Sequence, residues 1–592
     1  MKMPRTLTCC RRLLFPLLFL LAGVLGAWMA VSGDSVTVDE YVHLPAGAYA
    51  LHTGHFQLQR KSPPLARMWA AMPAVLGAAV IPDEACWTQF SGGWDGWIYG
   101  TAFQLRNLPA YDRLYSLGRL LNGLWLIPLG LALFLWAERL FGRRSAWALL
   151  VMLVFSPTFL AHGPRVTTDL AATTCFVLYV CLLRRVLWRE GGMGWSLALG
   201  VVLGVGLLVK LSLVLAPLVG LSIQAGILLC EGCGNGRERG GGRQRLLRHG
   251  GLLLRSQVLP LAVAVLLINA LYRFQGSGQA LGSYTFESQA LQRLGSTLPG
   301  FLPVPLPSDY VLGFDGQKRD AETGEFPAYL LGKWSTGTLR SYFPLTLLTK
   351  TPLALPILLG LGLLAILASA ATRRAPELLF VALPPALLLA VMVTGNHLYI
   401  GIRYCLPILP FLFLLAAAAF RDGVSRRERV IRRVAWVLLL SWVVSTVSQY
   451  PYYLAYFNEA ARGPGLAGEV LLDSNLDWGQ DLKRLGAFVE AHRIPMVYLA
   501  YFGHVWPQQY AIPAAPPPNG PVEGWVAISI SLLKGQVYAR TYLTGELVPL
   551  GGEQFAWLRG LTPVAKVGRS ILVYHLGPGG VALPLAGAAP RP

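Results

Sequence analysis

Long apolar runs separated by short basic loops make up most of the chain. The runs cover residues 13–32, 115–136, 145–161, 169–187, 195–210, 212–230, 252–271, 345–370, 377–394, 404–420 and 434–450. Each approaches the roughly 20 residues that a helix needs to cross about 30 Å of hydrocarbon, so the pattern predicts about eleven transmembrane helices. After residue 450 the runs shorten and alternate. Met496–Tyr501, Trp525–Ile530 and Ser570–His575 read as strands, Trp478–His492 as an amphipathic helix, and the proline-rich stretch Pro513–Pro521 as an interrupting loop. The expected architecture is a polytopic α-helical membrane domain over residues 1–450 and an α/β domain over residues 451–592, without internal repeats.

Basic residues orient the spans, because arginine and lysine in short loops resist translocation. Lys2, Arg5, Arg11 and Arg12 precede the first run, and Arg139, Arg143 and Arg144 follow the second. Arg184, Arg185 and Arg189 follow the fourth; Arg237, Arg239, Arg243, Arg245 and Arg248 the sixth; Arg373 and Arg374 the eighth; a cluster from Arg421 to Arg433 the tenth. Eleven alternating spans place every cluster on one side. The N-terminus is then cytoplasmic, the C-terminus external, and the expected location is the inner (plasma) membrane. Three long segments fall outside: a loop at 33–114, a loop at 272–344 and the tail. The first run also reads as a cleaved signal peptide, with small residues near Ala30 and Ser32, which leaves the sidedness unchanged.

Composition agrees. Of 592 residues 54% are hydrophobic and 14% charged, more apolar surface than one soluble core buries. The formal net charge of +20 sits in loops flanking apolar runs, which marks topology and not nucleic-acid binding. Of eight cysteines, Cys9, Cys10, Cys175, Cys181, Cys230 and Cys405 lie in or beside apolar runs, as small fillers or boundary residues. Cys230 and Cys233 have CxxC spacing without a second pair, a weak zinc signal; Cys86 alone is expected on the oxidising side, and no disulfide is expected. The Gly/Arg-rich stretch Gly232–Gly251 reads as a solvated linker.

Chemistry is expected in the external segments. Directly after the first run come Asp39 and Glu40, then His43, Gly47, Gly54 and a Lys61-Ser62-Pro63-Pro64-Leu65 turn. Adjacent carboxylates at a membrane exit are either a solvated helix start or a working pair. Three further blocks stand out: Ala161-His162-Gly163 through Thr167-Thr168-Asp169, Arg403-Tyr404 with Pro407 and Pro410, and Asp473-Ser474-Asn475-Leu476-Asp477-Trp478-Gly479-Gln480-Asp481.

In this order the blocks resemble the type C (GT-C) glycosyltransferases, in particular bacterial relatives of the protein O-mannosyltransferase and aminoarabinose transferase group. The resemblance spans residues 13 to about 485, and the rest of the tail matches loosely. It implies a type C glycosyltransferase fold and transfer of a sugar from a polyprenyl-phosphate carrier to a lipid, protein or glycan acceptor. It further implies Asp39 as general base, with Glu40 as second choice, inversion at the anomeric centre, and Asp169 as a second acid unless it merely caps its helix. Such a donor already carries a good leaving group, so the enzyme must deprotonate the acceptor and stabilise the departing phosphate.

Arg403 is the first choice for the phosphate, since an arginine at a span end either snorkels or binds an anion; Lys210 and Arg165 are weaker candidates. Lys61 is a further candidate, although with Arg60 and Arg67 it equally suits lipid head groups. His43 and His162 are expected to bond sugar hydroxyls or to serve the structure. With His397 they leave a divalent metal open, although their spacing does not demand one and no cofactor is certain. Asp473, Asn475, Asp477 and Trp478 form either an acceptor loop or a turn capping the next helix. A transporter, which should show paired halves or interrupted helices, and a non-enzymatic envelope-assembly protein are the competing readings.

Overall fold

The computed structural model describes residues 5–77, 79–83, 95–188, 192–233, 249–324, 326–368, 377–395, 397–422, 425–461, 467–541 and 547–583. Cys86 lies outside them, as do most of the Gly/Arg-rich linker and the side chains of Cys9, Cys10, Cys230 and Cys233. Cys175, Cys181 and Cys405 are free thiols.

The chain is a polytopic α-helical membrane protein. Among the described residues seven helices are long and apolar enough to cross a membrane: Arg12–Val31, Leu108–Phe141, Asp169–Leu187, Leu211–Leu229, His249–Leu271, Glu377–Thr394 and Arg426–Val447. In chain order the first half comprises α1 (Arg5–Val31), α2 (Val38–Thr53), α3 (Leu65–Leu76), α4 (Asp95–Arg106), α5 (Tyr111–Gly123), α6 (Leu126–Phe141), α7 (Arg143–Val154), α8 (Pro157–His162), α9 (Asp169–Leu187), α10 (Met193–Val209) and α11 (Leu215–Cys233). The second half comprises α12 (Leu259–Leu271), α13 (Gln289–Thr297), α14 (Ser308–Thr323), α15 (Tyr342–Lys350), α16 (Ala354–Ala368), α17 (Glu377–Thr394), α18 (Leu409–Ala417), α19 (Arg426–Val447) and α20 (Leu482–Ala491).

Among the described residues all eleven apolar runs are mainly helical, but not all are continuous. The run 145–161 is two pieces, α7 and α8, because the chain turns extended at Ser156 ahead of Pro157. The run 345–370 breaks at Thr351-Pro352 into α15 and α16, bent by 98°. At Lys210 the backbone is extended and separates α10 from the 3₁₀ turn that opens α11. Three of the helical paths are thus interrupted at points where the apolar pattern shows no break in character.

The two ends of the bundle differ. At one end basic residues pair with acids: Arg12 with Glu138 (2.6 Å), Arg184 with Glu377 (3.0 Å) and Arg144 with Asp422 (2.5 Å). At the other end the segments 33–114, 272–344 and the tail meet. Strands β1 (Ala328–Leu330) and β2 (Lys333–Ser335) form a hairpin whose Trp334 indole donates to the Lys534 carbonyl of the tail.

The tail carries β3 (Val497–Ala500), β4 (Ala514–Ala515), β5 (Gly524–Ser529), β6 (Tyr538–Thr541), β7 (Leu547–Leu550), β8 (Ala565–Val567) and β9 (Ile571–Leu576). Its main sheet has the order β4-β3-β5-β9-β8, with β3 parallel to β5 and β9 antiparallel to it. The proline-rich stretch is therefore more than loop, since Ala514–Ala515 pairs in parallel with Val497–Tyr498. One apolar core joins Leu482, Leu485, Leu499 and Val573 of the tail to Val36, Tyr41, Leu44 and Phe103 of the first loop. Tail and first loop thus fold against each other, and this fixes the entry to α2.

Candidate active site

The first turn of α2 sends its two carboxylates in different directions, as neighbours about 100° apart around a helix must. Glu40 is fully buried. It accepts from the Thr37 N–H (3.1 Å) and hydroxyl (2.9 Å), from Arg119 through Nε (2.8 Å) and Nη2 (2.6 Å), and from the Val166 N–H (3.0 Å). Burial alone would raise its pKa; the Arg119 guanidinium and the Val166 amide outweigh burial and bring it to about 2. Arg119 also donates to the carbonyls of Val31, Asp34 and Ser35. Glu40 is thus saturated by structural partners.

Asp39 is 24% exposed at its side chain and carries a single ion pair among the described residues, to Arg403. Arg403 lies in the 3₁₀ turn Ile402–Cys405, its guanidinium 4.6 Å from the Trp478 ring centroid and its Nε donating to the Ile400 carbonyl (3.2 Å). It is 7% exposed, so it does not snorkel.

The Asp473–Asp481 block builds this turn. Asn475 Oδ1 accepts from the Ile402 N–H (3.0 Å), its Nδ2 donates to the Tyr342 hydroxyl (3.2 Å), and Ser474 donates to the Ile400 carbonyl (3.1 Å). Gly401 has φ +82°, and a Cβ there would stand 2.5 Å from Ser474 Oγ. Asp473 itself adopts φ +58° and accepts from Gln536 (3.1 Å). Asp477 is buried, and burial pushes its carboxyl up to about 7. Asp481 stands at the start of α20 and accepts from the Arg569 and Ser570 amides.

Asp169 opens α9, where Oδ1 accepts from Lys210 Nζ (2.5 Å) and Oδ2 has no hydrogen-bond partner among the described residues. Lys210, at the α10 break, also lies 4.8 Å from the Tyr404 ring centroid. Asp169, Lys210, Arg403 and Tyr404 line one end of a cavity of about 340 Å³. Its other walls are mainly apolar, from α9, α11 and α17, with Phe314, Gln317 and Lys318 of α14 opposite.

His43 follows Asp39 by one turn of α2. It is buried with no hydrogen-bond partner at Nδ1 among the described residues, and burial first, then Arg67 and Arg403 nearby, lower its pKa to about 4, so it is neutral near pH 7. His162 is buried with its ring 5.9 Å from Trp478. His397 instead contacts Thr338 (3.0 Å) and the Glu322 carbonyl (3.2 Å), so the three histidines are not one ligand set. Among the described residues no group of three or more His, Cys, Asp or Glu side chains is placed to hold a metal.

Two sequence candidates sit elsewhere. Arg165 is buried against Asp34 (2.5 Å), in a network that Arg484 extends to Asp481. Lys61 pairs with Asp320 (2.6 Å), and neither cation lines the cavity. The cations of the first-loop turn have partners within the chain. Arg60 pairs with Asp309 (2.8 Å), and Arg67 is buried, donating to the Gln59 (3.1 Å) and Ser62 carbonyls.

Sequence reasoning missed Arg119 and Lys350. The latter is buried and donates to the Leu454 (2.9 Å) and Asn475 (2.5 Å) carbonyls. Both stand within apolar runs, where a lone cation signals a buried partner.

Residues 116–232 match the family model described as dolichyl-phosphate-mannose-protein mannosyltransferase. That stretch runs from α5 through α11 and holds Asp169 and Lys210, and the match agrees with the resemblance carried by the motifs. No curated protein matches the chain. Among solved structures, ArnT from Cupriavidus metallidurans bound to undecaprenyl phosphate is similar at 13% identity and TM-score 0.44, covering 94% of this chain and 97% of that one. The archaeal oligosaccharyltransferase AglB from Archaeoglobus fulgidus, in complex with an inhibitory peptide and a dolichol-phosphate, is similar at 11% identity and TM-score 0.47, covering 93% and 75%.

Proposed function

We propose that this chain moves a sugar from a polyprenyl-phosphate carrier to a hydroxyl or amine of an acceptor on the outer side of the membrane. One observation supports the reading above the rest. A mainly apolar cavity of about 340 Å³ has Lys210 and Arg403 in its lining, and the second of these cations is paired with a partly exposed carboxylate, Asp39. An apolar groove capped by cations suits a lipid phosphate, and a carboxylate next to it suits removal of a proton.

The residues then divide the work. The isoprenoid lies in the groove, and its phosphate meets Lys210 and Arg403. Asp39 takes the acceptor proton while the acceptor oxygen or nitrogen bonds to the anomeric carbon. The bond from that carbon to the phosphate oxygen breaks on the opposite face, which inverts the centre without a covalent intermediate. As Asp39 becomes neutral its hold on Arg403 weakens, and the guanidinium is released toward the charge growing on the phosphate. Neutral His43 offers an acceptor for a substrate hydroxyl. Asp169 keeps Lys210 in place and has Oδ2 to spare for the same purpose. Asn475 and Trp478 act as the frame of the Arg403 turn, and Asp473 and Asp477 tie the same block to the tail.

The test is turnover. The purified chain in nanodiscs is incubated with a series of polyprenyl-phosphate sugars and envelope acceptors. Release of polyprenyl phosphate from one donor is expected. Solute uptake by vesicles carrying the chain, with no donor consumed, would overturn the proposal in favour of transport, for which the breaks at Lys210 and Pro352 also provide.

A further inference from the structure

A second cavity, of about 400 Å³, shares no residue with the first. It lies where α1 ends against α5 and α20, and Trp28, Ser32, Asp112, Arg113, Ser116 and Lys483 are among its lining. Arg119 also lines it, so the two carboxylates of the α2 turn each hold the arginine of a different cavity: Asp39 that of the first, Glu40 that of the second. The Trp28 indole donates to the Ser116 carbonyl (2.9 Å) and hydroxyl (3.2 Å), which fixes one wall at the end of the first span. An indole at that depth is the usual marker of the membrane–water boundary.

The charges of the second cavity do not cancel. Asp34 is committed to Arg165 and Arg484, and Arg119 to Glu40. Lys483 pairs with Asp112 (2.9 Å), which also accepts from the Tyr510 hydroxyl (3.0 Å). Arg113 is exposed and has no ion-pair partner among the described residues, so the rim holds one spare cation.

An apolar track leads to this rim. Leu14, Leu18, Leu21, Leu25 and Met29 of α1 are all exposed, 36% to 53%. Their spacing of three and four places them on one helix face, and the next residue in that series is Ser32, in the cavity itself.

We infer that this cavity seats the phosphate of a membrane phospholipid, held by Arg113 and Lys483, with the acyl chains lying along the Leu14-to-Met29 track. Asp112, relieved of Lys483, then faces the hydroxyl or amine of the head group. Because Lys483 belongs to α20, such a lipid ties the tail domain to the first span. The inference stands apart from glycosyl transfer and is tested without it.

The full chain is purified, stripped of lipid, and titrated with phosphatidylglycerol, with bound lipid counted by native mass spectrometry. Arg113→Glu should weaken retention about tenfold, the effect of losing one charge-assisted contact. Arg113 has no partner to lose, so the lipid-free melting temperature should not move. Arg293→Glu, an exposed cation on α13, should leave retention unchanged. Four results would each overturn the inference: no retention by the wild type, retention within about twofold in Arg113→Glu, an equal loss in Arg293→Glu, or competition by glycerol phosphate as strong as by the phospholipid. The last would make the cavity a site for free anions.

Discussion

Arg403 and Asp39, 364 residues apart in the chain, form an ion pair at the end of the apolar cavity. The guanidinium is held from behind by the Trp478 ring and by the turn that Ser474 and Asn475 bond. The carboxylate is held by its place in the first turn of α2. Each partner is fixed by its own scaffold, so a substrate entering between them meets groups already oriented.

Glu40→Gln should damage folding more than chemistry. It leaves Arg119 buried at 4% exposure without its charge partner, which costs about 3 to 5 kcal/mol. Thermal unfolding in detergent should show the loss. The fraction that folds should keep its turnover number, whereas loss of turnover with an unchanged melting temperature would make Glu40 the base.

Gly401→Ala should disturb Arg403 without touching it. At φ +82° an L-residue costs roughly 1 to 2 kcal/mol, and the added Cβ would press on Ser474 Oγ at 2.5 Å. The expected outcome is a raised KM for the donor, measured as polyprenyl phosphate released, with Ser474→Gly relieving part of the defect.

Asp477 gives the tail domain a pH dependence. An unfolded aspartate titrates near ~4, and the buried one at about 7. Between these values the folded chain keeps a proton that the unfolded chain has lost, so stability falls as pH rises through the window. The full loss, on the order of 4 kcal/mol, is reached above about pH 7. Melting temperatures recorded from pH 4 to pH 8 should decline in the wild type and flatten in Asp477→Asn; parallel curves would contradict this.

The spans were legible because hydrocarbon thickness sets a length that sequence displays directly. The breaks were not: Pro157 and Pro352 sit inside runs that remain apolar on both sides, and Lys210 reads equally as a loop residue. Hydropathy alone does not show a break that leaves the run apolar, although the backbone leaves the helix at Ser156 and at Lys210 and bends at Thr351-Pro352.

The site was legible as a set of residues but not as a set of pairs. Asp39, Arg403, Asp169 and Lys210 were all named, yet nothing local said that Glu40 would turn to Arg119, 79 residues on. The same distance hid the partners of Lys61 and Arg60. Their acids, Asp320 and Asp309, lie 259 and 249 residues away on α14, so the basic turn looked unpaired and suited to head groups. The Asp473–Asp481 block looked like a ligand loop because its polar groups are dense. In the fold Ser474 and Asn475 bond the Arg403 turn, while Asp473 and Asp481 bond the tail through Gln536 and Ser570.

The most direct measurement is steady-state kinetics of polyprenyl phosphate release by the wild type, Asp39→Asn and Arg403→Ala with one consumed donor. Asp39→Asn should lower kcat by about 10² to 10⁴ with little change in donor KM, because it removes the base and spares the phosphate seat. Arg403→Ala should raise donor KM and lower kcat together. Wild-type turnover in Asp39→Asn, or an unchanged KM in Arg403→Ala, would contradict the assignment of this ion pair as the reaction centre.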